Sequence, residues 1–98
     1  MLSQFILTVI QYESETGLGD LKGNEGVYGL QRAFKMAGVK YIVMSLWQVP
    51  DKQTAELMEY FYKELLKGKS VREAFAIAQN MMKQKYDPYY WAGFVLIE

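Results

Sequence analysis

The stretch YIVMSLWQVPD, residues 41–51, decides how this chain folds. Residues 41–47 are apolar or small, without the polar alternation of a half-exposed strand. Such runs are typical of strands that are buried on both faces of a parallel sheet. Pro50 cannot continue a central strand, and Asp51 can cap a helix that begins beside it. The stretch therefore predicts a buried strand that leads directly into a helix.

On the N-terminal side, the sequence predicts a strand and a helix. The β-branched run FILTVI, residues 5–10, predicts a second buried strand. A loop over residues 13–23 follows, and Asn24 can cap a helix that ends at Gly38. A strand, a helix and a strand within about 40 residues make a βαβ unit, whose crossover we expect to be right-handed.

On the C-terminal side, the sequence predicts two helices and a strand. The first helix ends at Gly68, and the second begins after Ser70, which forms a capping box with Glu73. Pro88 breaks the chain after the second helix, and AGFVLIE, residues 92–98, predicts the last strand. The predicted order is β-α-β-α-α-β, an α/β fold with three strands and three helices.

The two helices of this C-terminal part carry apolar stripes at helical spacing. We expect the opposite face of the first helix to be exposed to solvent, and it consists of Lys52, Glu56, Glu59, Lys63 and Lys67. The expected buried residues of the first helix are Ala55, Met58, Phe61, Tyr62 and Leu65. Those of the second helix are Val71, Ala74, Phe75, Ala78, Met81 and Met82.

The composition argues against several classes of function. The chain has 98 residues, 51% of them hydrophobic, and its 11 basic and 11 acidic side chains cancel. We therefore expect no binding to nucleic acid or to a membrane. Because cysteine and histidine are both missing, we also expect no disulfide, no metal site and no cofactor. The first residues lack the features of a signal peptide, which favours a cytoplasmic location.

Four stretches together resemble one known family. They read ETGLGD, GNEGVYGLQRAFKMAGVKYIVMSLWQVPD, AELMEYFYKELLKGKSVREAFAIAQ and DPYYWAGFVLIE. They are similar to the C-terminal part of the CHAT domain, a caspase-like domain often attached to tetratricopeptide repeats in bacteria. The resemblance spans residues 14–98. It implies that residues 1–98 are a single partial domain, the C-terminal half of a caspase-like doubly wound sheet.

The resemblance implies a peptidase ancestry for the loop after the first strand. Active members of the family are clan CD cysteine endopeptidases with a histidine–cysteine dyad, and their cysteine stands in a pattern like LSACETG. The matching stretch here reads QYESETG, so Ser14 falls on the cysteine position. The family's histidine belongs to an earlier strand that these residues do not include. We therefore expect a catalytically inactive fragment, with a Ser14 nucleophile activated by Lys22 as the alternative.

The resemblance also implies which residues line the substrate cleft. These are Glu15, Thr16, Gly17, Trp47 and Asp51. Trp47 can equally well belong to the core, and Asp51 can equally well serve as a helix cap. The two interpretations are compatible for both residues.

Other patterns have simpler interpretations than a catalytic site. Glu13 and Glu15 form a possible carboxylate pair, but solvated loop charges explain them better. The glycines of residues 17–23 lack the ending of a phosphate-binding loop, so we assign them to backbone turns. The aromatic cluster at residues 89–91 is predicted to pack in the core or at an interface.

The predicted sheet leaves edges that a partner can cover. Exposed strand edges tend to pair with other chains. We therefore expect a homodimer, in which two copies rebuild a six-stranded sheet, or a complex with a complementary chain. An interaction module that pairs through a sheet edge or an apolar face is the alternative function. A tetratricopeptide-like helical piece is another, although a stable solenoid needs about three such units.

Overall fold

The computed structural model of the chain describes residues 7–10, 29 and 32–98. Its strands are β1 (Leu7–Ile10), β2 (Tyr41–Ser45) and β3 (Phe94–Ile97), its helices are α1 (Asp51–Leu66) and α2 (Val71–Lys83), and a short 3-10 helix spans Pro88–Tyr90. Residues 32–36 are also helical. The predicted mixture of helix and sheet, an α/β class, is confirmed.

The chain forms two compact units. One unit comprises Met1–Gln48 and Val95–Glu98, and it contains β1, β2 and nearly all of β3. The other unit comprises Val49–Phe94, and it contains α1, α2 and the connection that follows α2.

The sheet is built around β2. The strands lie in the order β1-β2-β3, and β1 pairs with β2 in parallel, with Leu7 opposite Tyr41 and Ile10 opposite Met44. Every residue of β2 from Ile42 to Ser45 is buried, so successive side chains on opposite faces are both covered. The prediction of a strand that is buried on both faces is therefore confirmed.

Two strands, β2 and β3, are shorter than the predicted ones. β2 ends at Ser45, and residues 46 and 47 form a bend with Leu46 exposed, so the predicted extension to Trp47 is wrong. The chain has to leave the sheet before Pro50, because proline cannot donate a hydrogen bond to a neighbouring strand. β1 begins at Leu7, and residues 5 and 6 of the predicted strand lie outside the described residues.

Two glycines end helical segments as the sequence predicts. Gly38 has a φ of +98°; its N–H donates to the carbonyl of Lys35 (3.1 Å), and the N–H of Val39 donates to that of Phe34 (3.0 Å). This pair of bonds is a Schellman motif, which needs a left-handed residue that glycine adopts at little cost. Gly68, with a φ of +95°, ends α1 in the same way.

The two long helices begin differently. Pro50 occupies the N-cap position of α1, where no side chain caps the helix, and Asp51 is the first helical residue. The prediction that Asp51 caps α1 is therefore wrong, although its carboxylate still lies in the first turn, where the helix dipole favours negative charge. Ser70 does cap α2 as predicted, because its Oγ accepts a hydrogen bond from the N–H of Glu73 (3.1 Å).

α1 and α2 pack together through a small apolar core. The rings of Phe61 and Phe75 meet edge to face, with centroids 6.1 Å apart. The buried residues of α1 are Leu57, Met58 and Phe61. Those of α2 are Val71, Ala74, Phe75, Ala78 and Met82.

The buried residues of α1 and α2 differ from the predicted apolar stripes at a few positions. On α1, Leu57 is buried whereas Ala55 and Tyr62 are exposed, so the buried stripe is rotated relative to the predicted one. On α2, Met81 is exposed and the rest of the predicted stripe is buried. α1 has apolar residues on two sides, and helical periodicity alone cannot select the side that contacts α2.

The connection from α2 to β3 is fixed by side-chain hydrogen bonds. The Nε2 of Gln79 donates to the carbonyls of both Trp91 and Phe94, at 2.9 Å each. Because both partners are acceptors, the amide nitrogen is the atom that must face them. The indole N–H of Trp91 donates to the carbonyl of Tyr86 (3.0 Å), which closes the connection on itself. Within the described ranges, no helix combines the length and hydropathy needed to cross a bilayer.

Candidate functional site

β1 and β2, the strands that precede predicted cleft residues in the sequence, end on the same side of the sheet. Because β1 and β2 are parallel and Ile10 lies opposite Met44, their carboxyl ends are at the same edge. Ser14 follows β1 in the sequence, and Trp47 follows β2. Open α/β sheets bind their ligands at the carboxyl ends of their strands, so the cleft at this end of the sheet stays a prediction.

The structure describes two of the predicted cleft residues. Trp47 lies in the bend after β2 and is half-buried, and Asp51 is an exposed residue at the start of α1. They belong to different compact units. Ser14, Glu15, Thr16 and Gly17 lie outside the described residues, as do Glu13 and Lys22, so their roles stay predictions.

A polar cluster that the sequence did not predict surrounds Glu56. We call Glu56, Tyr60, Lys85 and Tyr86 the Glu56 cluster. The ammonium of Lys85 forms an ion pair with one carboxylate oxygen of Glu56, and Tyr86 Oη donates to the other oxygen at 2.6 Å. Lys85 Nζ also donates to Tyr60 Oη at 3.2 Å, and Tyr60 Oη donates to Glu56 at 3.4 Å. The cluster connects α1 to residues just beyond the end of α2.

Two aromatic rings complete the surroundings of Lys85. Its Nζ lies 5.7 Å from the ring centroid of Tyr60 and 5.6 Å from that of Tyr86, within the range of cation–π attraction. The side chain of Glu56 is 15% exposed and that of Lys85 is 47% exposed. The carboxylate is thus largely covered, while the ammonium that neutralises it faces partly to solvent.

Electrostatics in the Glu56 cluster favour fixed protonation states. The hydrogen bond from Lys85, and then that from Tyr86, lowers the pKa of the Glu56 carboxyl below its ordinary value. The hydrogen bond to Glu56 raises the pKa of Lys85, and the bond to the same carboxylate raises the pKa of Tyr86. A general acid or base works best with a pKa near the working pH. All three values move away from neutrality, so the cluster is suited to holding structure and poorly suited to proton transfer.

The sequence contained only a partial signal for this cluster. Glu56 and Tyr60 are four residues apart on one helix, a spacing that brings side chains together. Lys85 and Tyr86 come from beyond α2, and nothing local in the sequence pairs them with Glu56. The prediction that Glu56 faces solvent is wrong, because its side chain is largely covered.

A shallow depression of about 470 Å³ lies elsewhere, in the unit that contains the sheet. It is lined by Lys35, Gly38, Val39, Lys40, Tyr41 and Glu98. Tyr41 is the first residue of β2, so the depression lies at the amino end of that strand, whereas Trp47 follows its carboxyl end. Neither Trp47 nor Asp51 lines it.

The aromatic residues after α2 pack mainly against one another. The ring of Tyr90 lies 5.5 Å from that of Tyr86 and meets the ring of Tyr89 edge to face at 5.2 Å. Tyr89 is exposed and Trp91 is half-buried. The segment therefore forms a local aromatic cluster with one side open to solvent.

Comparisons with known proteins agree with the resemblance seen in the sequence. The model of the family described as CHAT domain matches residues 10–98. Tetratricopeptide repeat protein 28 of Homo sapiens is 36% identical over 76 residues, and the protein of the same name from Mus musculus is 36% identical over 77. Each match covers 74% of this chain and 3% of the relative, so the chain spans a small part of the relatives' length.

No solved structure matches the chain significantly. The relatives are mammalian proteins, whereas the resemblance pointed to a domain found in bacteria, and their names agree with the predicted association with tetratricopeptide repeats. Since the family model matches nearly the whole chain, the chain belongs to the CHAT domain family.

Proposed function

We propose that this chain is a CHAT-domain segment without peptidase activity that works by associating with protein, either a second copy of itself or a complementary chain. The observation that carries the proposal is a sequence with no cysteine and no histidine, in which the resemblance assigns Ser14 to the family's cysteine position. A serine hydroxyl is a weak nucleophile unless an adjacent base activates it. The 98 residues supply no imidazole for that purpose.

We also infer that the chain is a single partial domain that forms the C-terminal half of a caspase-like doubly wound sheet. The parallel pairing of β1 with β2 supports this inference, as does the burial of β2 on both faces. On this view Glu15, Thr16, Gly17, Trp47 and Asp51 are the remains of a substrate cleft.

The test of inactivity is a turnover assay with a matched variant. The purified chain and S14A are incubated with a peptide library, and cleavage is followed by mass spectrometry. We expect no cleavage that depends on Ser14. We expect S14C to react with a thiol-alkylating probe but not to turn over peptides, because the added thiol still has no imidazole base. Cleavage by the chain that S14A abolishes would contradict the proposal.

The test of association is the mass of the chain in solution. We expect sedimentation equilibrium to show a mass that rises with concentration from that of one copy to that of two. A constant monomer mass at all accessible concentrations would remove self-association and leave only a complementary chain as the partner. The helical-repeat alternative is weaker, since α1 and α2 form one hairpin between strands, and solenoids need about three repeats.

A further inference from the structure

We propose that two copies of this chain pair through the outer face of α1, in antiparallel order. We define the outer face as Ala55, Glu59, Tyr62 and Leu66. The proposal rests on the self-association proposed above and names the surface that mediates it. The partner is a second copy of the same chain.

The outer face is an exposed row of side chains. Leu66 is 74% exposed and Tyr62 is 43% exposed, and Ala55 and Glu59 are exposed as well. The core of the helix pair instead takes Leu57, Met58 and Phe61 from α1, so α1 is apolar on two sides. A helix that packs against a single neighbour needs only one apolar stripe.

The spacing of the row suits helix pairing. Successive members of the outer face are separated by four, three and four residues, which is the alternation of the seam positions in a coiled coil. An antiparallel register that places Ala55 of one copy against Leu66 of the other joins a small side chain to a large one. The same register places Glu59 opposite Tyr62, where the phenol can donate to the carboxylate.

The charges beside the row select the antiparallel order. In that order Glu59 of each copy lies beside Lys63 of the other, which makes two attractive contacts by symmetry. In a parallel, in-register pair, Glu59 would face Glu59 and Lys63 would face Lys63. At each end, Lys52 of one copy approaches the segment just beyond α1 of the other, where Lys69 already has Glu64 of its own chain as an ion-pair partner (3.9 Å).

Among the residues that the structure describes, the other exposed large apolar side chains do not form a comparable row on one helix; they are Met36, Leu46, Met81 and Tyr89. Met36, at 82% exposed, lies in the other compact unit and has no exposed apolar neighbour at helical spacing on residues 32–36 other than Ala33. The exposed residues of α2 are mostly polar, namely Arg72, Glu73, Asn80 and Lys83, and its two exposed apolar residues, Ala76 and Met81, are five positions apart. Met36 therefore serves as a matched control for a substitution on the outer face.

The first experiment compares L66K with M36K in the full chain. Both replace an exposed apolar side chain by lysine, so neither is expected to prevent folding, which circular dichroism checks. Sedimentation equilibrium is expected to show that L66K raises the dimer dissociation constant at least roughly tenfold, while M36K leaves it unchanged. Equal dissociation constants for L66K and the unmodified chain would overturn the assignment of the surface and leave self-association intact.

The second experiment tests the antiparallel order by charge exchange. E59K and K63E are each expected to weaken pairing roughly tenfold, because each creates two like-charge contacts across the interface. An equimolar mixture of E59K with K63E should restore dimers, since each lysine at position 59 then meets a glutamate at position 63 of the other chain. Contacts within one chain cannot produce this recovery.

Two other outcomes distinguish the antiparallel order from the proposed self-association itself. A mixture that stays monomeric, while the unmodified chain forms dimers, would overturn the antiparallel order. An unmodified chain that stays monomeric would overturn both this inference and the proposed self-association.

Discussion

At the scale of single residues, Glu56 joins parts of the chain that are far apart in sequence. Its two carboxylate oxygens bond to Lys85 and to Tyr86, beyond the end of α2. Isolated ion pairs on a surface contribute little to stability, because water and salt screen them. Here one carboxylate is largely covered and takes several donors at once, which makes the geometry more specific than that of a single exposed pair.

The Glu56 cluster predicts how stability depends on pH. The pKa of Glu56 is lowered below its ordinary value of 4.5, so its contribution is present above about pH 4.5 and is lost as the pH falls through the lowered value. The pKa values of Lys85 and Tyr86 are raised above 10.5 and 10.0, so their contributions are present below about pH 10 and are lost at higher pH. We expect E56Q to flatten both the acid and the alkaline limbs of the stability curve.

The measurement is urea unfolding at a series of pH values, with D87N as the control. Asp87 is an exposed carboxylate next to Tyr86 that does not belong to the cluster. D87N should keep the pH dependence of the unmodified chain. If E56Q and D87N gave the same curve, the cluster would not be the source of the pH dependence.

At the scale of secondary-structure elements, helix ends were easier to predict than helix faces. Gly38, Gly68 and Ser70 act through bonds to residues within five positions along the chain, so their roles could be predicted from local sequence. The side of α1 that is buried depends on its packing against α2. The sequence carries apolar residues on both sides of α1, and it therefore placed Ala55 and Tyr62 in the core incorrectly.

Replacing glycine by alanine is expected to change the free energy of unfolding in opposite directions at two positions. An added Cβ meets nothing within 4 Å at either Gly29 or Gly68, so crowding affects neither site. Gly68 has a φ of +95°, where alanine is strained, and we expect G68A to lower the free energy of unfolding by about 1 kcal/mol. Gly29 is an exposed helical residue whose φ lies outside the left-handed region. We expect G29A to raise the free energy of unfolding by about 0.5–1 kcal/mol, because alanine favours a helix more than glycine does.

Chemical denaturation of the two variants under identical conditions measures both effects. Any change in dimer formation would shift both midpoints, so the comparison is made at one protein concentration. A stabilising G68A would contradict the assigned role of Gly68 at the end of α1.

At the scale of the whole molecule, the sequence predicted the class and family but only part of the interactions. Consecutive apolar residues predicted that β2 is buried, and several motifs that occur together indicated the family. Lys85 and Glu56 meet only after α1 and α2 have folded back on each other, so no local pattern indicates their contact. Trp47 and Asp51 follow β2 as predicted, whereas the predicted residues around Ser14 lie outside the described ranges.

The two hydrogen bonds that Gln79 donates make the fold sensitive to deamidation of this side chain. Slow hydrolysis of that amide gives glutamate, whose carboxylate would face the carbonyls of Trp91 and Phe94 where it now offers an N–H to each. The side chain would keep its shape, but its two hydrogen bonds to the carbonyls would be replaced by electrostatic repulsions. We expect Q79E to lower the free energy of unfolding by about 1–3 kcal/mol, more than the uncharged Q79M, and hydrogen exchange to quicken near the start of β3. Unchanged hydrogen exchange in Q79E would contradict this prediction. If the prediction holds, aged samples of the protein should lose ordered structure first where β3 begins.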